Sequence, residues 1–259
     1  MILDEILVQT RQGVAAAQGR LPLARLEEQL ALAPPVRDFR AALAARPGPA
    51  CIAEFKRRSP SRGWINRNAD PAVVASAYQA AGAAAISVLT DAPFFGGSLD
   101  DLRRARAAVD IPVLRKDFVV DPYQVAEARA AGADALLLIV SALRQDELVR
   151  LLAEVRRLGM QALVETHDRA EVERALAADA RVIGVNHRDL RTFEMDMTLA
   201  ATMRPLVPSD RLLVAESGIR TADDAKRMQA VGVDAILVGE ALMREPDPGA
   251  GLRRLLGGA

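Results

Sequence analysis

The sequence lacks an excess of either charge, since its 259 residues include 34 basic and 34 acidic side chains. It has no block of like charge that would attract nucleic acid or an anionic membrane, so we expect neither as a partner. It also lacks an apolar run long enough to cross a bilayer, and its first residues do not resemble a signal peptide. These absences predict a globular protein of the cytoplasm.

Cysteine and histidine are scarce as well. The one cysteine, Cys51, lies inside an apolar run, which predicts a core thiol in a reducing compartment. The two histidines, His167 and His187, form no cluster with a cysteine in the sequence. We therefore expect no metal site.

Lysine is almost absent, although the chain is rich in arginine. Its only lysines are Lys56, Lys116 and Lys226. Arginine keeps its proton near neutral pH, whereas a buried lysine can release one. Lys226 lies in a charged helical stretch and is interpreted as a surface residue, but Lys56 and Lys116 stand at the ends of apolar runs. These two are candidates for acid–base chemistry. The alternative is that they are ordinary surface lysines that have persisted by chance.

The first 46 residues have the apolar spacing of helices. Ile2, Leu3 and Ile6 illustrate it, and Pro34-Pro35 interrupts the pattern. We predict that residues 1–46 form an N-terminal helical extension. It would pack on the outside of the main domain or across one of its ends.

Beyond this extension, apolar runs alternate with helical stretches rich in alanine and arginine. Near-continuous apolar character is typical of parallel strands that are covered on both faces. Gly82, Gly132, Asp179 and Gly232 recur about every fifty residues, each as a helix cap before a strand, and this interval fits two βα units. The predicted strands are 51–56, 84–90, 112–116, 135–140, 162–165, 182–186, 212–216 and 235–239.

Four such repeats predict an α/β fold, a closed (β/α)8 TIM barrel, with residues 1–259 as a single domain. An open doubly wound sheet is the alternative architecture. Such sheets usually carry a glycine-rich fingerprint after the first strand, and the sequence has none there.

Polar residues stand at the carboxyl ends of most predicted strands, where α/β barrels place their chemistry. Glu54 and Lys56 are two residues apart, so both would point to the same face of the first strand. Later strands end at Lys116, Glu165 and Glu216. Each of these could be a satisfied strand end, but their convergence on one barrel mouth favours acid–base or Schiff-base chemistry.

Two glycines and two phenylalanines are further candidates. Gly218 and Gly239 would present backbone N–H groups at helix starts, where barrels commonly bind phosphate, or they could simply make turns. Aromatic residues are only 3% of the chain. Phe94 and Phe95, in a loop above the mouth, could stack on an aromatic substrate, with core packing as the alternative.

Four residues near the strand ends receive no chemical role. Trp64 could stack on a ligand or cap the barrel. We expect a peripheral role for His167, and we expect Asp117 and Asp189 to brace loops.

Several segments together resemble the indole-3-glycerol-phosphate synthase family. They are AEFKRRSPS at 53–61, SVLTD at 87–91, FGGS at 95–98, LRKDF at 114–118, LVE at 163–165, GVNHRDL at 184–190, AESGI at 215–219 and VGEALM at 238–243. The resemblance covers nearly the whole chain, and the motifs in combination are highly specific. The loop at 62–68 departs from the family pattern in detail.

The resemblance implies a carboxy-lyase of tryptophan biosynthesis. It would close the indole ring of 1-(2-carboxyphenylamino)-1-deoxyribulose 5-phosphate with loss of carbon dioxide and water. The family's extra N-terminal helices would partly cover the mouth. The substrate would be a phosphorylated small molecule, no metal or organic cofactor would be needed, and we expect a monomer.

The resemblance also implies roles by motif position. Lys116 would be the general acid of ring closure, and Glu165 would act as acid or base in the dehydration. Lys56 would pair with the anthranilate carboxylate or share the acid role. The other implied roles are hydroxyl binding by Glu54, Asn186, Glu216 and Ser217, phosphate binding by Gly218, Gly239 and Glu240, ring contact by Phe95, Phe118, Leu137 and Ile139, and polar contact by Ser59 and Arg188.

Two rival functions remain at this point. A Schiff-base aldolase on the same fold could use Lys56 or Lys116, and borohydride would trap it on its substrate. A non-catalytic phosphosugar-binding barrel would bind ligand without turnover, although such a protein has no need of so many titratable groups.

Overall fold

The computed structural model describes residues 2–45, 48–60, 62–189 and 194–258. Arg46, which ends the predicted extension, lies outside the described residues. So do Ser61 and Leu190, which belong to two of the motifs.

In the described part of the chain, eight parallel strands close into a barrel, which confirms the predicted fold. Each strand pairs with the next, and the first also pairs with the last, with Ala50 level with Ala235. The predicted strand bounds hold to within one residue at each end. The strands are β1 Ala50–Phe55, β2 Ala85–Leu89, β3 Val113–Lys116, β4 Ala135–Ile139, β5 Gln161–Thr166, β6 Val182–Asn186, β7 Leu212–Glu216 and β8 Ala235–Val238.

Helices surround this barrel, and many of them begin at a residue that caps the first turn. Asp70, Asp121, Asp168 and Thr221 each accept a hydrogen bond from a backbone N–H of the helix that follows. The α-helices of the described residues are α1 Ile2–Arg20, α2 Leu23–Leu30, α3 Phe39–Ala44, α4 Pro71–Ala80, α5 Ala92–Phe95, α6 Leu99–Ala108, α7 Pro122–Ala130, α8 Gln145–Arg157, α9 Arg169–Ala177, α10 Leu199–Met203, α11 Ala222–Val231, α12 Glu240–Met243 and α13 Pro248–Leu255.

The repeated caps predicted from the sequence adopt the left-handed conformation. Gly82, Gly132 and Gly232 have φ values of 96°, 89° and 82°. Asp179, which replaces glycine in the third repeat, has φ 59°. Asp visits this region more readily than most residues, so the repeat survives the substitution.

Alternation along each strand separates two apolar cores. Outward side chains such as Cys51, Ala53 and Phe55 pack against the surrounding helices. Inward side chains such as Ala50 and Ile52 fill the barrel interior. Because the period of a strand is two residues, the next inward position on β1 is Glu54, at the carboxyl end.

The N-terminal extension contacts three parts of the barrel. Ile2, Leu3 and Ile6 of α1 lie at the carboxyl-end mouth. Leu26 of α2 packs against α7 on the outside. Phe39 of α3 is fully buried against the interior cluster and closes the opposite end of the barrel.

No helix of the described residues is a candidate membrane span, because none of these helices is both long enough and apolar enough to cross a bilayer.

Candidate active site

The polar floor of the mouth is built by alternate strands. Glu54, Lys116, Glu165 and Glu216 are inward residues at the carboxyl ends of β1, β3, β5 and β7. Barrel interiors are filled in layers that take their side chains from alternate strands. The top layer of this barrel therefore consists of three carboxylates and one amine.

Lys116 lies among the three glutamates. Its Nζ is 3.1 Å from Glu216 Oε2, 3.5 Å from Glu165 Oε2 and 3.9 Å from Glu54 Oε2. Lys56 Nζ joins the group at 2.7 Å from Glu54 Oε1. The three carboxylate groups are almost fully buried, with residue exposures of 3% or less.

Burial and mutual attraction set the protonation states. Burial opposes the charge on Lys116, but Glu216, Glu165 and Glu54 outweigh it and raise the pKa of Lys116 above its ordinary value. Burial also opposes the charge on Glu54, yet Lys56 and Lys116 lower the pKa of Glu54. Both lysines at this site therefore have carboxylate partners.

The pKa values of the two other glutamates are shifted in opposite directions. Burial, reinforced by the neighbouring carboxylates, raises the pKa of Glu216 to about 7 against the pull of Lys116. Glu165 is equally buried, but Lys116 and the contact with His167 hold the pKa of Glu165 well below its usual range. Two carboxyl groups whose pKa values are pushed apart can serve as an acid and a base.

Above this floor is a cavity of about 480 Å³ with one apolar side. Phe95 and Phe118 lie there with ring centroids 6.2 Å apart. Phe95 ends α5, a single helical turn held by Asp91, which accepts from two backbone N–H groups. The apolar lining is completed by Ile2, Leu3, Ile6, Leu137 and Ile139.

The opposite side of the cavity is formed by backbone turns and arginines. Ser217 and Gly218 follow β7 with φ values of 66° and 79°. Gly239 precedes α12, and a Cβ atom at this residue would collide with the carboxyl group of Glu54. The arginines that line the cavity are Arg62, Arg188, Arg220 and Arg244.

The family model for indole-3-glycerol phosphate synthase matches residues 3–255. The chain belongs to this family. It is 58% identical over 234 residues to indole-3-glycerol phosphate synthase 2 of Streptomyces coelicolor, covering 90% of both chains. It is 51% identical to indole-3-glycerol phosphate synthase of Rhodopirellula baltica, covering 95% of both chains. The family resemblance found in the sequence is thereby confirmed.

Solved structures with low identity show the fold alone. The 3-hexulose-6-phosphate synthase of Salmonella typhimurium superposes with a TM-score of 0.63 at 14% identity, over 80% of this chain and 96% of that one. A mandelate oxidase variant gives a TM-score of 0.61 at 17% identity, over 81% of this chain and 71% of that one.

Most residues that the family resemblance singles out meet in this cavity. The residues of the polar floor and of the apolar side are among them. Ser59 is buried at the rim, and within the described residues its hydroxyl has no hydrogen-bond partner. Asn186 donates from Nδ2 to Glu165 Oε1 at 3.1 Å and accepts the backbone N–H of Arg188 on Oδ1 at 3.0 Å.

Two details of the sequence interpretation are wrong. Gly218 does not start a helix, because α11 begins at Ala222 after the cap residue Thr221. Phe94 and Phe95 lie in the short helix α5 and not in a loop. The peripheral role expected for His167 stays a prediction: the residue does not line the cavity, but its Nε2 is 3.3 Å from Glu165 Oε1.

Three other residues considered in the sequence are not part of the cluster of lysines and glutamates. Trp64 is not among the cavity-lining residues and packs under Arg67, whose guanidinium carbon is 4.4 Å from the ring centroid. Asp117 braces the end of β3 by accepting from Thr90 and the backbone N–H of Phe118. The backbone N–H of Asp189 donates to the carbonyl of Glu194.

Sequence reasoning named Arg188 but missed the other three arginines of the rim, and it did not identify which residues of α1 reach the cavity. Arg62 Nε is 3.4 Å and Arg244 Nη2 is 3.0 Å from Glu240 Oε1. The spacing of Arg244 four residues after Glu240 in one helix was a readable signal for this pair. For α1, the family resemblance implied partial cover of the mouth, but the apolar spacing of its first turns did not specify which residues contact the cavity.

No group of three or more His, Cys, Asp and Glu residues suited to a metal ion occurs in the described segments.

Proposed function

We propose that the chain catalyses ring closure of the carboxyphenylamino-deoxyribulose phosphate to indole-3-glycerol phosphate, with release of carbon dioxide and water. One observation carries this proposal. A lysine ammonium stands among three buried glutamates at the floor of a cavity with one aromatic-lined side. Ring closure, decarboxylation and dehydration need acids, bases and positioning, which this arrangement supplies without a cofactor.

The two sides of the cavity fit the two ends of this substrate. The anthranilate ring packs between Phe95, Phe118, Leu137 and Ile139, and its carboxylate pairs with Lys56. The sugar phosphate lies at the other side, where backbone N–H groups after β7 and β8 and the arginine rim favour an anion. Glu240 contributes through its backbone, because its carboxylate is engaged with two arginines.

Lys116 is the general acid of ring closure. As the ring carbon that bears the carboxylate bonds to the ribulose carbonyl carbon, the carbonyl oxygen takes a proton from Lys116 Nζ. The bond to the carboxylate then breaks, carbon dioxide leaves, and its electron pair restores the aromatic ring. Because the three glutamates raise the pKa of Lys116, its proton is present before the reaction begins.

Dehydration follows at the same carbon. Lys56, which the departure of carbon dioxide has freed from the carboxylate, gives a proton to the new hydroxyl, and this group leaves as water. The adjacent carbon of the five-membered ring loses a proton at the same time. Glu165, which is ionised at neutral pH because its pKa is lowered, accepts this proton. Glu54, Asn186, Glu216 and Ser217 hold the hydroxyl groups of the sugar and tune the two lysines.

The same electrostatics argue against a Schiff-base aldolase. A lysine must be neutral to attack a carbonyl carbon, but three carboxylates keep Lys116 protonated. Borohydride added with substrate is therefore expected to leave no covalent adduct.

The test is direct. Purified chain is mixed with the substrate, and indole fluorescence is followed together with carbon dioxide release. We expect both products in equal amounts. An adduct trapped by borohydride, or tight binding without turnover, would contradict the proposal.

The phosphate end can be tested without mutation. Substitution of Gly239 by valine is not a clean probe, because the new side chain would displace Glu54 as well as obstruct phosphate. A dephosphorylated substrate leaves the protein intact. We expect it to lose most of kcat/KM, because binding energy from the remote phosphate positions the reacting end. Equal kcat/KM for both substrates would place the phosphate outside the cavity.

The proposal includes a single domain comprising residues 1–259, acting as a monomer in the cytoplasm. The contacts of α1 and α3 with the two ends of the barrel support a common folding unit. Light scattering in solution tests the monomer, and a mass of twice the chain would contradict it.

A further inference from the structure

His167 occupies a position that the proposed chemistry does not use. It follows Thr166, the last residue of β5, and its side chain is 11% exposed. It is not among the residues that line the cavity. It therefore contacts Glu165 from behind, on the side away from the substrate.

The two oxygens of Glu165 have different surroundings. Oε1 accepts from Asn186 at 3.1 Å and lies 3.3 Å from His167 Nε2, in an ion-pair contact that is not a well-aligned hydrogen bond. Oε2 lies 3.5 Å from Lys116 Nζ, toward the cavity. The orientation of the Asn186 amide is fixed in turn, because its oxygen accepts from the backbone of Arg188.

His167 is itself held by a second carboxylate. Glu171, in the first turn of α9, places Oε2 3.2 Å from His167 Nδ1 and 2.7 Å from the backbone N–H of His167. The ring therefore lies between two carboxyl groups, one on each nitrogen. Glu171 holds Nδ1 by a hydrogen bond and Glu165 attracts the Nε2 side of the protonated ring, so the imidazole is fixed between two negative charges.

We propose that His167, held by Glu171, is a positioning residue that fixes Oε1 of Glu165 and leaves Oε2 as the oxygen that exchanges protons with the substrate. This inference rests on the proposed function and assigns the orientation of its dehydration base. Lys116, Glu54 and Glu216 face Glu165 from the other strands.

Electrostatics agree with this geometry. Burial disfavours charge on the imidazole, but Glu165 and Glu171 outweigh it and raise the pKa of His167 to about 10. The other histidine, His187, has a pKa lowered by burial. At pH 8 the two histidines of this chain should therefore differ in charge.

The kinetic test replaces His167 by leucine and by glutamine. Removing the cation raises the pKa of Glu165, so the acidic limb of the kcat profile should move to higher pH in both variants. His167→Gln retains a donor for Oε1 and should recover part of kcat. His167→Leu should lose about tenfold or more, part of what a general base contributes. In a single turnover of this variant, carbon dioxide release should outpace indole formation.

Glu173→Gln is the matched control, because Glu173 lies on the same helix with its side chain 62% exposed. It should change neither kcat nor the pH profile. Folded His167 variants with an unmoved acidic limb would overturn the inference while the wild-type assay still stands. Absence of turnover in the wild type would overturn the proposed function, and with it this role.

A measurement on the unsubstituted protein covers the case in which the variants do not fold. Nitrogen-15 NMR of the two imidazole rings at pH 8 should show both nitrogens of His167 protonated and His187 neutral. A neutral His167 would overturn the inference.

Discussion

Strand β3 carries two neighbouring cations, Arg115 and Lys116, that point to opposite faces of the barrel wall. Arg115 Nη2 is 3.0 Å from Asp117 and 2.9 Å from Glu127, and its other donors reach Thr90 at 3.1 Å and the Gln124 carbonyl at 2.9 Å. Within the described residues, the side chain of Lys116 makes one hydrogen bond, to Glu216. One cation is fully engaged, and the other has donors left for a ligand.

This difference separates a structural ion pair from a reactive one. The planar guanidinium of Arg115 satisfies several acceptors at once and keeps its proton. Lys116 is placed where its distances to two of its three carboxylates exceed those of hydrogen bonds. Under the proposed function, β3 uses arginine where only charge and geometry are needed, and lysine where a proton must move.

The largest expected effect is on stability. Arg115→Met leaves Asp117 and Glu127 without their buried partner and should lower the free energy of unfolding by about 3–5 kcal/mol. Urea denaturation measures this loss, and kcat of the folded protein should remain near the wild-type value. A large fall in kcat with unchanged stability would mean that the outer cluster takes part in the chemistry.

The reverse pattern is expected for Lys116→Arg. Arginine preserves the charge but does not release its proton, so kcat should fall about a hundredfold or more, or about 2.7 kcal/mol in activation free energy. Melting temperature and affinity for a product analogue should change little. Lys226→Arg is the control, because Lys226 is 73% exposed. If Lys116→Arg keeps most of its turnover, Lys116 is an electrostatic anchor and the general acid must be sought at Lys56.

Carboxylate partners of the two cations can be compared in the same way. Glu165→Gln retains size and hydrogen bonding but cannot accept a proton. Its indole formation should slow about tenfold more than its carbon dioxide release in a single turnover, a difference of about 1.4 kcal/mol. Glu127→Gln, on the Arg115 side, should slow neither step selectively. Equal slowing of both steps in Glu165→Gln would contradict a role specific to dehydration.

The contrast between these clusters shows what a sequence can predict. The strands and their inward positions followed from apolar runs and a period of two, so Glu54, Lys116, Glu165 and Glu216 could be placed on one floor. That period ends with the strand, and for this reason the direction of His167, one residue beyond β5, was not predictable. Contacts between residues distant in sequence, such as that of Arg62 with Glu240, depend on distances that local patterns do not encode.

Glu216 gives the smallest predicted effect when it is counted per pH unit, and this effect is on the pH dependence of stability. Its pKa is raised from the ordinary value of 4.5 to about 7, because burial and the neighbouring carboxylates outweigh Lys116. The folded state therefore binds this proton more tightly, and the stabilisation is complete below pH 4.5 and lost as pH rises through about 7. Relative to Glu216→Gln, the wild type should lose on the order of 1 kcal/mol per pH unit across this window. Urea denaturation at several pH values measures the difference. Parallel stability curves would mean that Lys116 holds Glu216 ionised, and that the inner cluster is as firmly paired as the outer one.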